Sequence, residues 1–86
     1  MPEISRFRGI VIGMYYKDHN PPHFHATQGE HEVAIAIRDG RILWGILPAR
    51  ALGYVQDWRQ AHLAELEDDW ERARGRQPLN PIAPLE

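Results

Sequence analysis

The sequence has no cysteine, so disulfides, thiolate zinc sites and a thiol nucleophile are excluded. It also has no long hydrophobic run. The longest, Ile10-Val11-Ile12-Gly13-Met14, is far too short to span a bilayer. The opening Met1-Pro2-Glu3-Ile4-Ser5-Arg6 lacks the apolar stretch of a signal peptide. The expectation is a cytoplasmic protein with no membrane contact. Charge of one sign is scarce too: the net charge is -2, which disfavours a broad electrostatic footprint for nucleic acid. There is no phosphate-cradling glycine loop, no G-x-S-x-G elbow and no evident carboxylate cluster for magnesium. Any chemistry has to be minimal.

What is present is 86 residues of ordinary globular composition, 43% apolar and 26% charged. That length allows one domain, expected over 1–76, with an extended tail over 77–86. A core this small commonly gains stability from a bound metal or from association, and a homodimer is expected. Charge is uneven along the chain. Residues 1–50 hold six Lys/Arg against five Asp/Glu, and residues 51–86 hold four against seven. A polyanion would therefore meet the N-terminal half.

The pattern reads as α+β: an antiparallel four-stranded meander followed by one long C-terminal helix and a proline-rich tail. Ile10, Ile12, Met14 and Tyr16 share one face with period two. The second strand spans His23 to Gln28. Glu32 to Arg38 is the third, with Val33, Ile35 and Ile37 on one side. Asp39-Gly40 predicts a type I′ hairpin leading to a fourth strand from Arg41 to Leu47. Pro48 then stops the sheet and opens a helix. From Ala49 to about Arg74, Leu52, Val55, Trp58, Leu63, Leu66, Trp70 and Ala73 form one apolar arc, with Gly75 as the stop signal. As one rod this helix would be about 39 Å long, so a bend near His62 or an overhanging end is expected. Trp58 and Trp70 are core or interface anchors, and His62 is a partly buried histidine within the stripe. The run Glu65-Glu67-Asp68-Asp69-Glu71 reads as a solvated face. In the tail, Pro78, Pro81 and Pro84 alternate at period three with Leu79, Ile82 and Leu85, a polyproline II pattern suited to packing on the domain.

The chemically loaded segment is Asp18-His19-Asn20-Pro21-Pro22-His23-Phe24-His25. Alternation puts Phe24 and Ala26 toward the core and His23, His25 and Thr27 on the opposite face. Gly13, Ala34 and Ala36 are candidates for that same face, and their small side chains would leave a recess beside the imidazoles. Three readings are open. Two histidines at i and i+2 can converge on a metal, with His19 or His31 as a third ligand. The same pair can instead perform acid–base chemistry near neutrality, with Lys17, Arg38 or Arg41 as a phosphate contact and Tyr15 or Tyr16 stacking on a base. Finally, Asp18-His19-Asn20 can simply cap a turn while the other histidines make structural hydrogen bonds.

Several stretches carry a family resemblance: Met1-Pro2-Glu3-Ile4-Ser5-Arg6-Phe7, the block Tyr15-Tyr16-Lys17-Asp18-His19-Asn20-Pro21-Pro22-His23-Phe24-His25-Ala26, Leu47-Pro48-Ala49-Arg50-Ala51-Leu52, and the helical Trp70. Together they resemble a group of small prokaryotic proteins catalogued as domain of unknown function four-one-six-zero. The resemblance covers nearly the whole chain, and Pro-Pro-His-x-His is its most specific part. It carries no established activity and no catalytic residues. It does imply a partner, because members resemble one half of a two-gene pair, a layout similar to toxin–antitoxin modules. In several such modules a small sheet-plus-helix toxin cuts RNA with a histidine or a few basic residues.

The leading expectation is thus a component of a toxin–antitoxin-like pair that acts on RNA without a cofactor. His23 and His25 would be catalytic and His19 an auxiliary acid/base. Lys17, Arg38 and Tyr16 would bind the substrate, and a small protein encoded nearby would be the partner. The alternative is a non-catalytic binding module that holds Zn²⁺ or a similar ion through His23, His25 and His19.

Overall fold

The computed structural model describes residues Met1–Glu86. Five strands, β1 (Glu3–Phe7), β2 (Ile10–Gly13), β3 (His23–Gln28), β4 (His31–Ala36) and β5 (Ile42–Gly45), precede two helices, α1 (Ala49–Ala61) and α2 (Leu63–Arg74). The strands form one antiparallel sheet in chain order. The α+β meander is as expected, but it has five strands, not four. The missed one is β1. Its alternation is broken by an irregularity between Glu3 and Ser5, so that Ile4 and Ser5 are both buried while Arg6 is exposed.

The hairpins follow backbone conformation more than turn composition. Arg8 and Gly9 both have positive φ, 53° and 77°, and join Phe7 to its partner Ile10. That is the two-residue type I′ geometry, with arginine at a position where Asn or Asp is usual. At Asp39-Gly40, where type I′ was expected, only Gly40 has positive φ. This turn is wider: the Gly40 N–H donates to the Ala36 carbonyl, and the Arg41 N–H donates to Asp39 Oδ1. Helix α1 sets its shape. Gln56 Nε2 donates to the Gly40 carbonyl at 2.8 Å, and buried Arg59 donates to the Ile37 carbonyl at 2.8 Å.

The expected single helix is two. A straight rod of about 39 Å exceeds the longest dimension of the molecule, 33 Å. The chain breaks at His62, whose φ and ψ of -130° and 31° end α1 and begin α2. No proline or glycine marks the break. His62 N–H closes a tighter turn onto the Arg59 carbonyl, and the His62 ring meets Glu65 at 2.6 Å, a contact related to a capping box. Leu63, the first residue after the break, leaves the apolar stripe and is exposed.

One face of the sheet packs on the helices. Ile10, Ile12, Met14, Phe24, Val33, Ile35 and Ile37 are fully buried there with Val55, Trp58, Leu66 and Trp70. Tyr16 lies beyond the end of β2 and is exposed. Trp58 is the centre of this layer, with the rings of Phe7 and Phe24 at 5.6 and 5.8 Å. Both helical tryptophans are consumed by the chain's own core, so the ground they offered for a dimer falls away. The tail packs on the domain as its spacing predicts. Ile82 is buried, its N–H donates to the Ile4 carbonyl, and the Ala83 carbonyl accepts from Trp58 Nε1. Neither helix is long and apolar enough to cross a membrane.

Candidate metal centre

The face of the sheet turned away from the helices carries His23 and His25. Register places Gly13 and Ala34 on either side of His25, and Ala36 opposite His23. These small neighbours leave room for two imidazoles to lean together, their ring centroids 5.1 Å apart. Both residues are nearly closed to solvent, 6% exposed for His23 and 3% for His25, yet both line a cavity of about 430 Å³.

The segment between β2 and β3 supplies the third group. It is tied down where the Lys17 N–H reaches the last-turn carbonyl of Ala73 in α2, and it returns to the sheet through a cis Asn20-Pro21 peptide. Within it, Asp18 uses both oxygens. Oδ1 accepts the His19 backbone N–H at 2.9 Å. Oδ2 faces His23 Nε2 at 2.9 Å and His25 Nε2 at 3.2 Å. One potential ligand atom from each of Asp18, His23 and His25 lies within 4.8 Å of the others. Burial works against the Asp18 charge, but the His19 N–H and the two imidazoles outweigh it and hold its pKa below the usual carboxylate value.

The far side of each ring is also occupied. His23 Nδ1 lies 2.7 Å from the Pro21 carbonyl. A carbonyl only accepts, so at this contact Nδ1 is the donor, and Nε2 faces a second acceptor in Asp18 Oδ2. His25 Nδ1 lies 3.3 Å from Glu32 Oε2, close enough for charge attraction but without hydrogen-bond geometry. Each imidazole therefore stands between two oxygen acceptors, and a neutral imidazole has one proton to give. The cluster has a deficit of positive charge at the point where Asp18 Oδ2 and the two Nε2 atoms meet.

Around the cluster, the cavity wall combines Tyr15, Trp44, Leu43 and Pro21 with the polar His19 and Asn20. The Tyr15 ring meets His25 edge-on at 4.8 Å, and Trp44 lies 5.5 Å from it, carried over Ala34 by the pairing of β5 with β4. Trp70, a core residue outside the cavity lining, lies 5.3 Å from His23. His19, expected beside His23 and His25, contributes its backbone N–H to Asp18 and borders the cavity, while the three-residue cluster takes Asp18 as its third member. His31 is exposed at the start of β4, opposite Gln28. The proposed substrate contacts are dispersed. Lys17 and Tyr16 border a separate hollow with Arg76, and Arg38 is paired with Glu67 at 3.1 Å beside Leu63. Arg41 is exposed and points its charge toward Asp39. Sequence reasoning left out Glu32, Trp44 and the place of Asp18 in the cluster that could hold a metal. The alternation that placed Ala34 and Ala36 beside the histidines also places Glu32 there, so that residue was within reach of the same argument.

No curated protein and no solved structure matches the chain. A family model matches residues 9–71, which run from the first hairpin into α2 and include Asp18, His23, His25 and Glu32. With more than half of its length so matched, the chain belongs to the family described as Domain of unknown function (DUF4160).

Proposed function

We propose that this domain binds one divalent transition-metal ion through Asp18 Oδ2, His23 Nε2 and His25 Nε2, leaving further coordination positions open to the cavity. One observation carries the reading: two imidazole nitrogens converge on a single carboxylate oxygen while both rings are backed by acceptors. A cation at that point would engage Asp18 Oδ2 and both Nε2 atoms at once, with Glu32 adding a second negative charge beside His25. Spacing supports it as well. Two ligands each about 2.1 Å from one ion, at angles between octahedral and tetrahedral, lie about 3.0–3.4 Å apart; Asp18 Oδ2 stands 2.9 and 3.2 Å from the two Nε2 atoms, and the three ligand atoms all lie within 4.8 Å of one another. The Pro21 carbonyl behind His23 and the Glu32 carboxylate behind His25 are the outer partners that metal-bound histidines commonly have. Two histidines and one carboxylate with open positions suit iron, zinc or a similar ion. A bound ion would supply Lewis acidity at those positions.

The RNA-directed reading has less support. It needs a cation beside the histidines, and neither Lys17, Arg38 nor Arg41 lines their cavity. The two readings separate in one preparation. Protein purified without a histidine tag, stripped with a chelator and titrated with Zn²⁺ or Co²⁺ should take up about one ion per chain. The variants Asp18→Ala, His23→Ala and His25→Ala should each lose stoichiometric uptake. Wild-type protein that takes up no metal, together with RNA cleavage abolished by His23→Ala, would reverse the choice.

A further inference from the structure

The cavity above the three ligating atoms has a composition that selects what can enter it. Tyr15 and Trp44, which flank His25, are 44% and 50% exposed, unusually open for large aromatic rings in so small a domain. Leu43 and Pro21 add further apolar wall. No lysine or arginine lines the space. The charge at the centre is also balanced: a divalent ion would be matched by Asp18 in contact with it and by Glu32 behind His25. An anion entering here meets no lysine or arginine and no guanidinium fork, the usual donors for phosphate or carboxylate recognition, and of the polar side chains outside the cluster only His19 and Asn20 reach the lining. A flat apolar molecule meets two half-exposed aromatic rings, both beside His25, in a cavity whose 430 Å³ lies within the usual range for small-molecule sites.

Resting on the metal reading, we propose that the open side of the centre receives a small, planar, uncharged molecule. It gives the ion one nitrogen or oxygen donor and packs against Tyr15 and Trp44. Stacking and apolar contact provide the affinity, and the single donor atom fixes orientation. The aromatic pair, with no lysine or arginine beside it, makes this a site for a neutral heteroaromatic or phenol-like ligand and not for a nucleotide phosphate.

The full-length protein loaded with Co²⁺ gives separate readouts for the two claims. Its visible absorption reports metal uptake before any ligand is added, and a change in that spectrum reports a new donor. Three probes are titrated: benzimidazole, imidazole and inorganic phosphate. Benzimidazole should bind at least fivefold more tightly than imidazole, although the fused ring makes it the weaker base. Phosphate at the same concentration should leave the spectrum unchanged. Trp44→Ala, a change at an exposed edge-strand position, should bring the two affinities together while cobalt uptake stays intact; Tyr15→Ala should act in the same direction. Equal affinities in the wild type, a preference that survives both substitutions, or phosphate binding as tightly as benzimidazole would each overturn the proposal with the metal reading intact. Absence of any cobalt spectrum before ligand addition removes both.

Discussion

Asp18 does two jobs that are separable by substitution. Its Oδ1 fixes the His19 backbone, and its Oδ2 meets the two imidazoles. Glu32 does one, standing behind His25 Nδ1 at 3.3 Å. If Glu32 raises the ligand strength of His25, then Glu32→Gln should weaken metal binding by about 10–100-fold, the usual cost of losing an outer partner, with little change in fold because its side chain is partly exposed. His19→Ala should leave metal affinity where it was, since only the His19 backbone N–H is used. Calorimetric titration of both variants checks the pair of outcomes. A large loss in His19→Ala with none in Glu32→Gln would mean that the coordinating set has been misassigned. Affinity should also fall on acidification, because an imidazole nitrogen binds metal only after giving up its proton. The sequence made the histidines conspicuous and Asp18 ambiguous. A carboxylate just before a Pro-Pro turn reads naturally as a turn cap, and Asp18 is one. Its second role depends on how the segment between β2 and β3 folds back over the sheet, which no local pattern encodes.

At the scale of elements, what was legible had a clean period. Strands β2, β3 and β4 alternate in sequence, and Ile10, Ile12, Phe24, Ala26, Val33 and Ile35 join the core as that period predicts, although His23, His25, Ala34 and Ala36 of the other face are buried as well. Strand β1 was missed because its irregularity sets Ile4 and Ser5 both inward, and the Arg8-Gly9 turn lacks the usual Asn or Asp. The helical break at His62 was foreseeable only from length: the rod would overrun the molecule, yet no residue type marks the point of fracture. The acidic run of α2 read as a uniformly solvated face, and one member departs from it. Asp69 is fully buried, with Oδ1 accepting the Asn80 N–H at 2.8 Å and Oδ2 without a partner. Burial raises its pKa, and the charges of Asp68 and Glu65 push the same way, against the Asn80 N–H and Arg72. A carboxyl whose folded pKa is raised binds protons more readily folded than unfolded. It therefore costs stability above the folded pKa, and that cost fades as pH falls toward the unfolded value. Asp69→Asn keeps the shape and removes the charge. The stability of Asp69→Asn relative to wild type should be more favourable at pH 7 than at pH 4, as measured by urea unfolding at both. The opposite trend would show that the ionised carboxylate is what holds the tail.

For the whole molecule, the sheet divides the labour. One face, with the two helices and the tail, makes the core; the other, with its glycine and alanine neighbours, makes the cavity. The tail belongs to the first side. It buries Ile82, gives the Ile4 carbonyl a donor, accepts from Trp58 Nε1 through Ala83, and is held at Asn80 by Asp69. Removing residues 78–86 strips these contacts from a chain whose core is already small. The lost burial of Ile82 is worth about 2 kcal/mol, and the hydrogen bonds add about 1 kcal/mol each. Against a typical total of about 5–15 kcal/mol, a loss of about 5 kcal/mol is large, so the thermal midpoint should drop by well over ten degrees. Ile82→Ala alone should give roughly half of that loss. Because Asp18, His23 and His25 lie on the opposite face, the metal affinity of the fraction that remains folded should be unchanged at low temperature. Differential scanning calorimetry and a cold metal titration on the same truncated protein distinguish the two sides. If affinity falls in step with stability in the folded fraction, the faces are coupled through Trp70, which packs against His23 at 5.3 Å, and a Trp70→Phe substitution in the full-length chain should then reproduce the loss of affinity with the tail in place.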